Sequence, residues 1–178
     1  MTESRTLTVF FFTLITLYSA CARCGTNLEM DGTLVTEPCN LDPGDNKLTV
    51  SFGTIIKKGL YKEPRTFSKP FRVTLSDCDT TLGKSVTLTF TGTESQATGM
   101  KGYLSTTGPG SEGIVIGIEK PDGTPVKINE PTTAWALRDG VTEIQLQAYV
   151  QATPEALQNQ SLEAGDFSAT ATLDVGYP

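Results

Sequence analysis

Gly165-Asp166-Phe167-Ser168-Ala169-Thr170-Ala171-Thr172-Leu173-Asp174-Val175-Gly176-Tyr177-Pro178 is the stretch that decides the fold, because period two runs through it without a break. Phe167, Ala169, Ala171, Leu173, Val175 and Tyr177 fall on one face. Asp166, Ser168, Thr170, Thr172, Asp174 and Gly176 fall on the other, the pattern of a strand with one buried side. A strand this apolar needs neighbours on both edges, since an open edge of unpaired N–H and C=O groups pairs with another chain. The residues that usually blunt an edge are few here, and Pro178 comes only after the alternation is finished. The sequence therefore reads as an edge left open for use.

Upstream, short alternating runs repeat. Leu48, Val50 and Phe52 end at Gly53; Phe71, Val73 and Leu75 end at Asp77-Cys78; Val86, Leu88 and Phe90 end at Gly92. Each is five to seven residues long, bounded by Gly, Asp, Thr or Pro turn chemistry. Glu94 to Gly113 reads as loop around a short strand at Tyr103-Leu104. Ile114 to Ile118 reads as a strand buried on both faces or bulged at Gly117. Pro121-Asp122-Gly123 predicts a turn from which Val126 to Ile128 pairs back, and Asp139-Gly140 predicts another. Ile144, Leu146, Ala148 and Val150 form the cleanest internal strand, and Thr153 to Ala164 reads as the last loop. About eight short strands and almost no helix predict an all-β sandwich of the immunoglobulin sort.

The chain has 178 residues, enough for one domain with extras, and a formal net charge of -6. With acid in excess and no basic cluster apparent, neither nucleic acid nor an anionic membrane surface is an expected partner. Histidine is absent, which removes the commonest general base and metal ligand together. No enzyme, cofactor or metal site is expected. Asp77 and Asp79 beside Cys78 read as turn formers, Cys24 lacks an activating base, and Trp135 reads as core.

Residues 1–22 have the form of a secretory signal, with Arg5, an apolar run from Leu7 to Tyr18 and the small-residue site Ala20-Cys21-Ala22. That run is shorter than the roughly 20 residues a membrane span needs. A mature chain beginning at Arg23 is expected to be exported without a membrane anchor. In an oxidising compartment Cys39 and Cys78 are the expected disulfide, and Cys24 stays as an odd thiol. Residues 25–35 carry a second alternation, with Leu28, Met30, Gly32 and Leu34 on one face. Periodicity alone leaves it an ordinary first strand.

Several marks together resemble one family, the subunits of bacterial pili built by the chaperone–usher pathway, such as type 1 and P pili. They are Gly32 with Pro38-Cys39, Val50-Ser51-Phe52-Gly53, the Phe71 to Cys78 strand, Phe90-Thr91-Gly92, and Ala164 to Thr172 with penultimate Tyr177. The resemblance is to a minor or adaptor-type subunit. It implies an incomplete immunoglobulin-like sandwich lacking its last strand, completed by a donor strand from a periplasmic chaperone and then from a neighbouring subunit at an outer-membrane usher. It assigns residues 23–36 as a donor-strand extension, with Leu28, Met30, Gly32 and Leu34 entering a neighbour, and 37–178 as the pilin domain. Phe167, Ala169, Ala171, Leu173, Val175 and Tyr177 become the wall of the acceptor groove. The expected end point is a head-to-tail fibre on the cell surface. The alternative is a closed secreted β-sandwich that binds its partner as a monomer, with residues 28–35 folded into its own sheet.

Overall fold

The computed structural model describes residues 29–30, 36–42, 44 and 47–178. The chain divides into two units, Met1–Val35 and Thr36–Pro178. The expected signal, Cys24 and the expected donor residues Leu28, Gly32 and Leu34 lie outside the described residues, while Met30 is described and is 80% exposed.

The second unit is two antiparallel sheets. The larger contains β1 (Asn40–Leu41), β2 (Lys69–Cys78), β8 (Gly140–Ala152), β5 (Ile114–Glu119) and β4 (Leu104–Ser105) in that order, with β6 (Pro125–Val126) also on β5. The smaller contains β7 (Trp135–Ala136), β3 (Ser85–Gly92) and β9 (Ala171–Gly176). Between the sheets lies one core in which Val73, Val86, Leu88 and Val150 are 0% exposed, Leu146 1% and Ile144 2%. These are the inward positions of β2, β3 and β8, so alternation sets which face packs. β5 is buried at all six positions. It runs unbulged past Gly117, where an added Cβ would stand 2.4 Å from the Tyr149 ring, so glycine admits the ring there.

Four expectations need correction. Leu48 to Phe52 is no strand, since no ladder partner lies beside it among the described residues. The final strand is shorter than its alternation, because β9 begins only at Ala171. The loop before it holds a helix, α2 (Pro154–Asn159), after a shorter one, α1 (Lys57–Leu60). Thr153 caps α2 by accepting from the Ala156 N–H, and Pro154 follows in the first turn, a start signal present in the sequence. Finally, a basic cluster does exist. Lys57, Lys58, Lys62, Arg65, Lys69 and Arg72 are all exposed and make up six of the 14 Lys and Arg, against only Glu63 in the same stretch. Two of the six are ion-paired, Arg65 with Glu119 and Arg72 with Glu143.

Cys39 and Cys78 form a disulfide across 39 residues, joining the lead-in of β1 to the end of β2. Asp77 adopts φ 51°, and the Asp79 carboxylate accepts from the Thr81 N–H at 2.8 Å, so both aspartates shape the turn. Replacing both cysteines by serine is expected to lower stability by about 4 kcal/mol on the loop-entropy argument. Urea titration of oxidised wild type and the double variant measures it.

A second cluster covers the outer face of β5 and β8. The Arg65 guanidinium lies 3.6 Å from the Tyr149 ring centroid, and Tyr149 meets Tyr103 edge-on. Glu119 accepts from Arg65 at 2.8 Å and from Ser68 at 2.6 Å. Burial pushes the Glu119 pKa up, but these two bonds and the Arg65 charge outweigh it and leave the carboxyl below its ordinary 4.5. A depressed pKa stabilises the fold above 4.5, and that contribution is lost as pH falls through the folded value. In Arg65→Met the burial effect dominates and raises the pKa, so the sign reverses. The variant is expected to lose about 1–2 kcal/mol at neutral pH, since Arg65 is partly exposed, and to close much of the gap near pH 4. Melting midpoints of both proteins between pH 4 and 8 read this crossing.

Candidate functional site

β9 pairs with β3 from Thr87↔Gly176 to Gly92↔Ala171, and among the described residues its ladder is on that side. Just upstream the chain is held by a different neighbour. Thr107 and Ser168 exchange backbone hydrogen bonds at 2.8 and 2.9 Å, and the Gly110 N–H donates to the Asp166 carbonyl at 3.0 Å. The approach is close enough that a Cβ on Gly110 would stand 2.1 Å from the Gly165 carbonyl oxygen. Residues 165–177 therefore form one continuous wall, fastened along one edge by two successive partners.

Burial along this wall alternates strictly. Phe167, Ala169, Ala171, Leu173, Val175 and Tyr177 are half-buried against the core, and the residues between them are exposed. Their inward-facing counterparts on β3 and β8 are buried. The six side chains point at the core yet keep solvent on one side, as expected when the cover on the other edge is missing.

The opposite side of the opening is the stretch 48–56. Val50, Phe52 and Ile55 are half-buried against the core, and Leu48 is 37% exposed. Phe52 stacks with Phe167 at 6.3 Å between centroids, which brings the two walls into contact at one point. Near it Ile55, Leu60, Ile114, Val150, Leu162 and Phe167, together with Lys57 and Glu163, line a cavity of about 140 Å³. At the other end the Tyr177 hydroxyl donates to the Cys39 carbonyl at 3.1 Å. Burial, then the Glu37 charge, pushes the Tyr177 pKa up, so the phenol remains a neutral donor. The site is a slot between the wall 165–177 and the stretch 48–56, which is no strand and turns at Gly53 with φ 66°. It presents a row of half-covered apolar side chains beside an edge of β9 that has no ladder partner among the described residues.

The structure brings all six wall residues to this slot. Reading the sequence for ladders missed the second wall. The alternation of Leu48, Val50 and Phe52 was its signal, but alternation does not say whether a strand has a partner.

A family model described as Fimbrial protein matches residues 28–178. The fimbrial adapter PapK of Escherichia coli is 33% identical over 172 residues, covering 92% of this chain and 94% of that protein. The major MR/P fimbria protein of Proteus mirabilis is 31% identical over 146 residues, covering 82% and 80%. Among solved structures, the P pilus rod subunit PapA superposes with a TM-score of 0.68 at 22% identity, covering 80% of this chain and all of that one. That likeness gives the fold, an immunoglobulin-like pilin sandwich.

Proposed function

The chain belongs to the Fimbrial protein family, the structural subunits that assemble into fimbriae, and from that premise we propose that its slot is filled by a donated β-strand. A periplasmic chaperone lends the first strand. At an outer-membrane usher the N-terminal segment of the next subunit replaces it. The observation that carries this reading is the half-burial of all six inward residues on a strand that, among the described residues, is laddered along one edge. An inserted strand satisfies the free peptide groups and covers Phe167, Ala169, Ala171, Leu173, Val175 and Tyr177 together. The same chain offers Leu28, Met30, Gly32 and Leu34 from residues 23–36 to its neighbour. Each copy then gives at one end and receives at the other, and a head-to-tail contact that does not close makes a fibre.

The role is structural and non-catalytic. The polypeptide follows an export route through the periplasm to a fimbria on the cell surface, with residues 1–22 removed. Among the described residues no helix is long and apolar enough to cross a membrane.

Gly32→Leu tests the donor assignment. A leucine side chain at the point of close approach is expected to abolish joining between subunits, read as oligomers that survive detergent, while the variant still co-purifies with the chaperone. Normal joining by Gly32→Leu, or loss of chaperone binding with it, would remove residues 25–36 from the role of donor.

A further inference from the structure

Arg138 and Thr142 pin the turn that opens β8. The Arg138 N–H donates to Thr142 Oγ1 at 3.0 Å, and that hydroxyl donates to the Arg138 carbonyl at 3.2 Å. Beyond the pin the two arms part. Trp135 and Ala136 pair with β3 in the smaller sheet (Val86↔Trp135), while 142–145 pair with β2 in the larger (Leu75↔Thr142, Arg72↔Gln145). β5, the other neighbour of β8, stops at Glu119↔Gln147 and does not reach this corner. The arms therefore enclose a hollow of about 620 Å³, within the roughly 300–1,000 Å³ of small-molecule sites. It shares no lining residue with the slot beside β9.

One aromatic ring and three polar side chains set the chemistry of the lining: Trp135 with Arg138, Glu143 and Gln145. Trp135 is half-buried, packs against the core and has the Lys120 ammonium 4.5 Å from its ring centroid. Lys120 is not on the lining, so the cation and the hollow take different sides of the indole. Lys120 is itself fixed, since its Nζ donates to Thr133 Oγ1 and its carbonyl accepts from Gln147 Nε2 at 3.2 Å. The ring is thus set in place before any ligand arrives. Arg138 and Gln145 are exposed, and their side chains make no hydrogen bond or ion pair among the described residues. Glu143 stands 3.9 Å from Arg72, outside hydrogen-bond distance, so its carboxylate can still accept. The three supply a donor fork, an acceptor pair and an amide that does both. Arg138 and Glu143 cancel in charge, which disfavours an ion of either sign. An aromatic ring beside mixed, uncommitted donors and acceptors suits a ligand with an apolar C–H face and a rim of hydroxyls, and that is a neutral pyranose.

We infer that the hollow between Trp135 and Gln145 binds a neutral pyranose unit, free or at the end of a glycan, a function separate from strand donation. Trp135 is the one tryptophan of the chain, so the tryptophan emission of the full chain reports on this ring. The probes are the methyl glycosides of glucose, galactose, mannose and N-acetylglucosamine. At least one is expected to shift the emission saturably in the millimolar range. A trisaccharide ending in the same unit is expected to bind at least tenfold tighter if the site takes the end of a glycan, and equally if it takes the free sugar. Arg138→Met and Gln145→Ala remove exposed side chains, and circular dichroism is expected to show an unchanged fold. Each is expected to weaken binding by about tenfold, the loss of one hydrogen-bonding partner. Emission unchanged by every probe up to about 50 mM would overturn the site. So would an equal response to inorganic phosphate or acetate, or wild-type affinity in both variants. Detergent-resistant oligomers are expected unchanged by either variant, so this site and strand donation fail independently.

Discussion

A chain lacking residues 23–36 is expected to unfold without a cooperative transition, whereas the same chain carrying residues 25–36 behind Pro178 on a flexible linker is expected to melt sharply. The reason lies in the uneven cover of the core. β3 and β8 bury their inward residues completely, while the wall from Phe167 to Tyr177 leaves six side chains half wet. A strand laid in the slot would bury Leu28, Met30 and Leu34 at on the order of 1.5–3 kcal/mol each and complete the cover of those six. It would also pair the edge of β9 away from β3, each hydrogen bond adding roughly 1 kcal/mol. Against a total stability of about 5–15 kcal/mol, such a contribution separates a folded population from a frayed one. Joining donor and acceptor in one chain adds only the slowly growing cost of a longer loop. If the truncated chain retains some cooperativity, the fused form is expected to melt roughly 10–20 °C higher, since each kcal/mol moves the midpoint by about 2–4 °C at this size. Equal, cooperative melting of both forms would mean a sandwich closed by its own strands.

How far the sequence carried this picture depended on where the partner of each segment lay. The inward faces of β2, β3 and β8 were legible because strict alternation marks a buried side whatever the neighbour. The wall residues from Phe167 to Tyr177 were legible for the same reason, although the ladder begins only at Ala171. Leu48, Val50 and Phe52 gave an identical signal, and here it misled. A period of two reports one face against a core and says nothing of hydrogen bonds at the edge. The α2 helix was missed because six residues are too few for a 3.6 period, yet Thr153-Pro154-Glu155 holds the start signal in plain form. The grip of Glu119 on Arg65 and Ser68 was not legible at all, because more than about 50 residues separate the partners and no local pattern reports a contact at that range.

Leu173→Asp is expected to weaken strand capture far more than it disturbs the chain before a strand arrives. Leu173 stands opposite Phe90 in the β3–β9 ladder, half-buried, with its open side on the slot. In the free chain an aspartate there keeps contact with water, and the fold loses only the partial packing of one leucine, about 1–1.5 kcal/mol. Once a strand is inserted the same carboxylate is sealed between the donor and the core with no partner, and burying an unpaired charge costs several kcal/mol. Capture of a peptide spanning residues 25–36 is therefore expected to weaken by roughly 10²–10³-fold, far beyond what the lost packing of one leucine accounts for. The pH dependence separates this cause from simple loss of shape. Sealing raises the pKa of the aspartate in the captured state, so capture strengthens as pH falls from 7 toward 4 and the side chain takes up a proton. Leu173→Asn has nearly the same shape and no proton to gain, so its capture is expected to stay weak across that range. Wild-type capture by Leu173→Asp at pH 7 would mean that the donated strand does not lie over Leu173, and the slot beside β9 would lose its role.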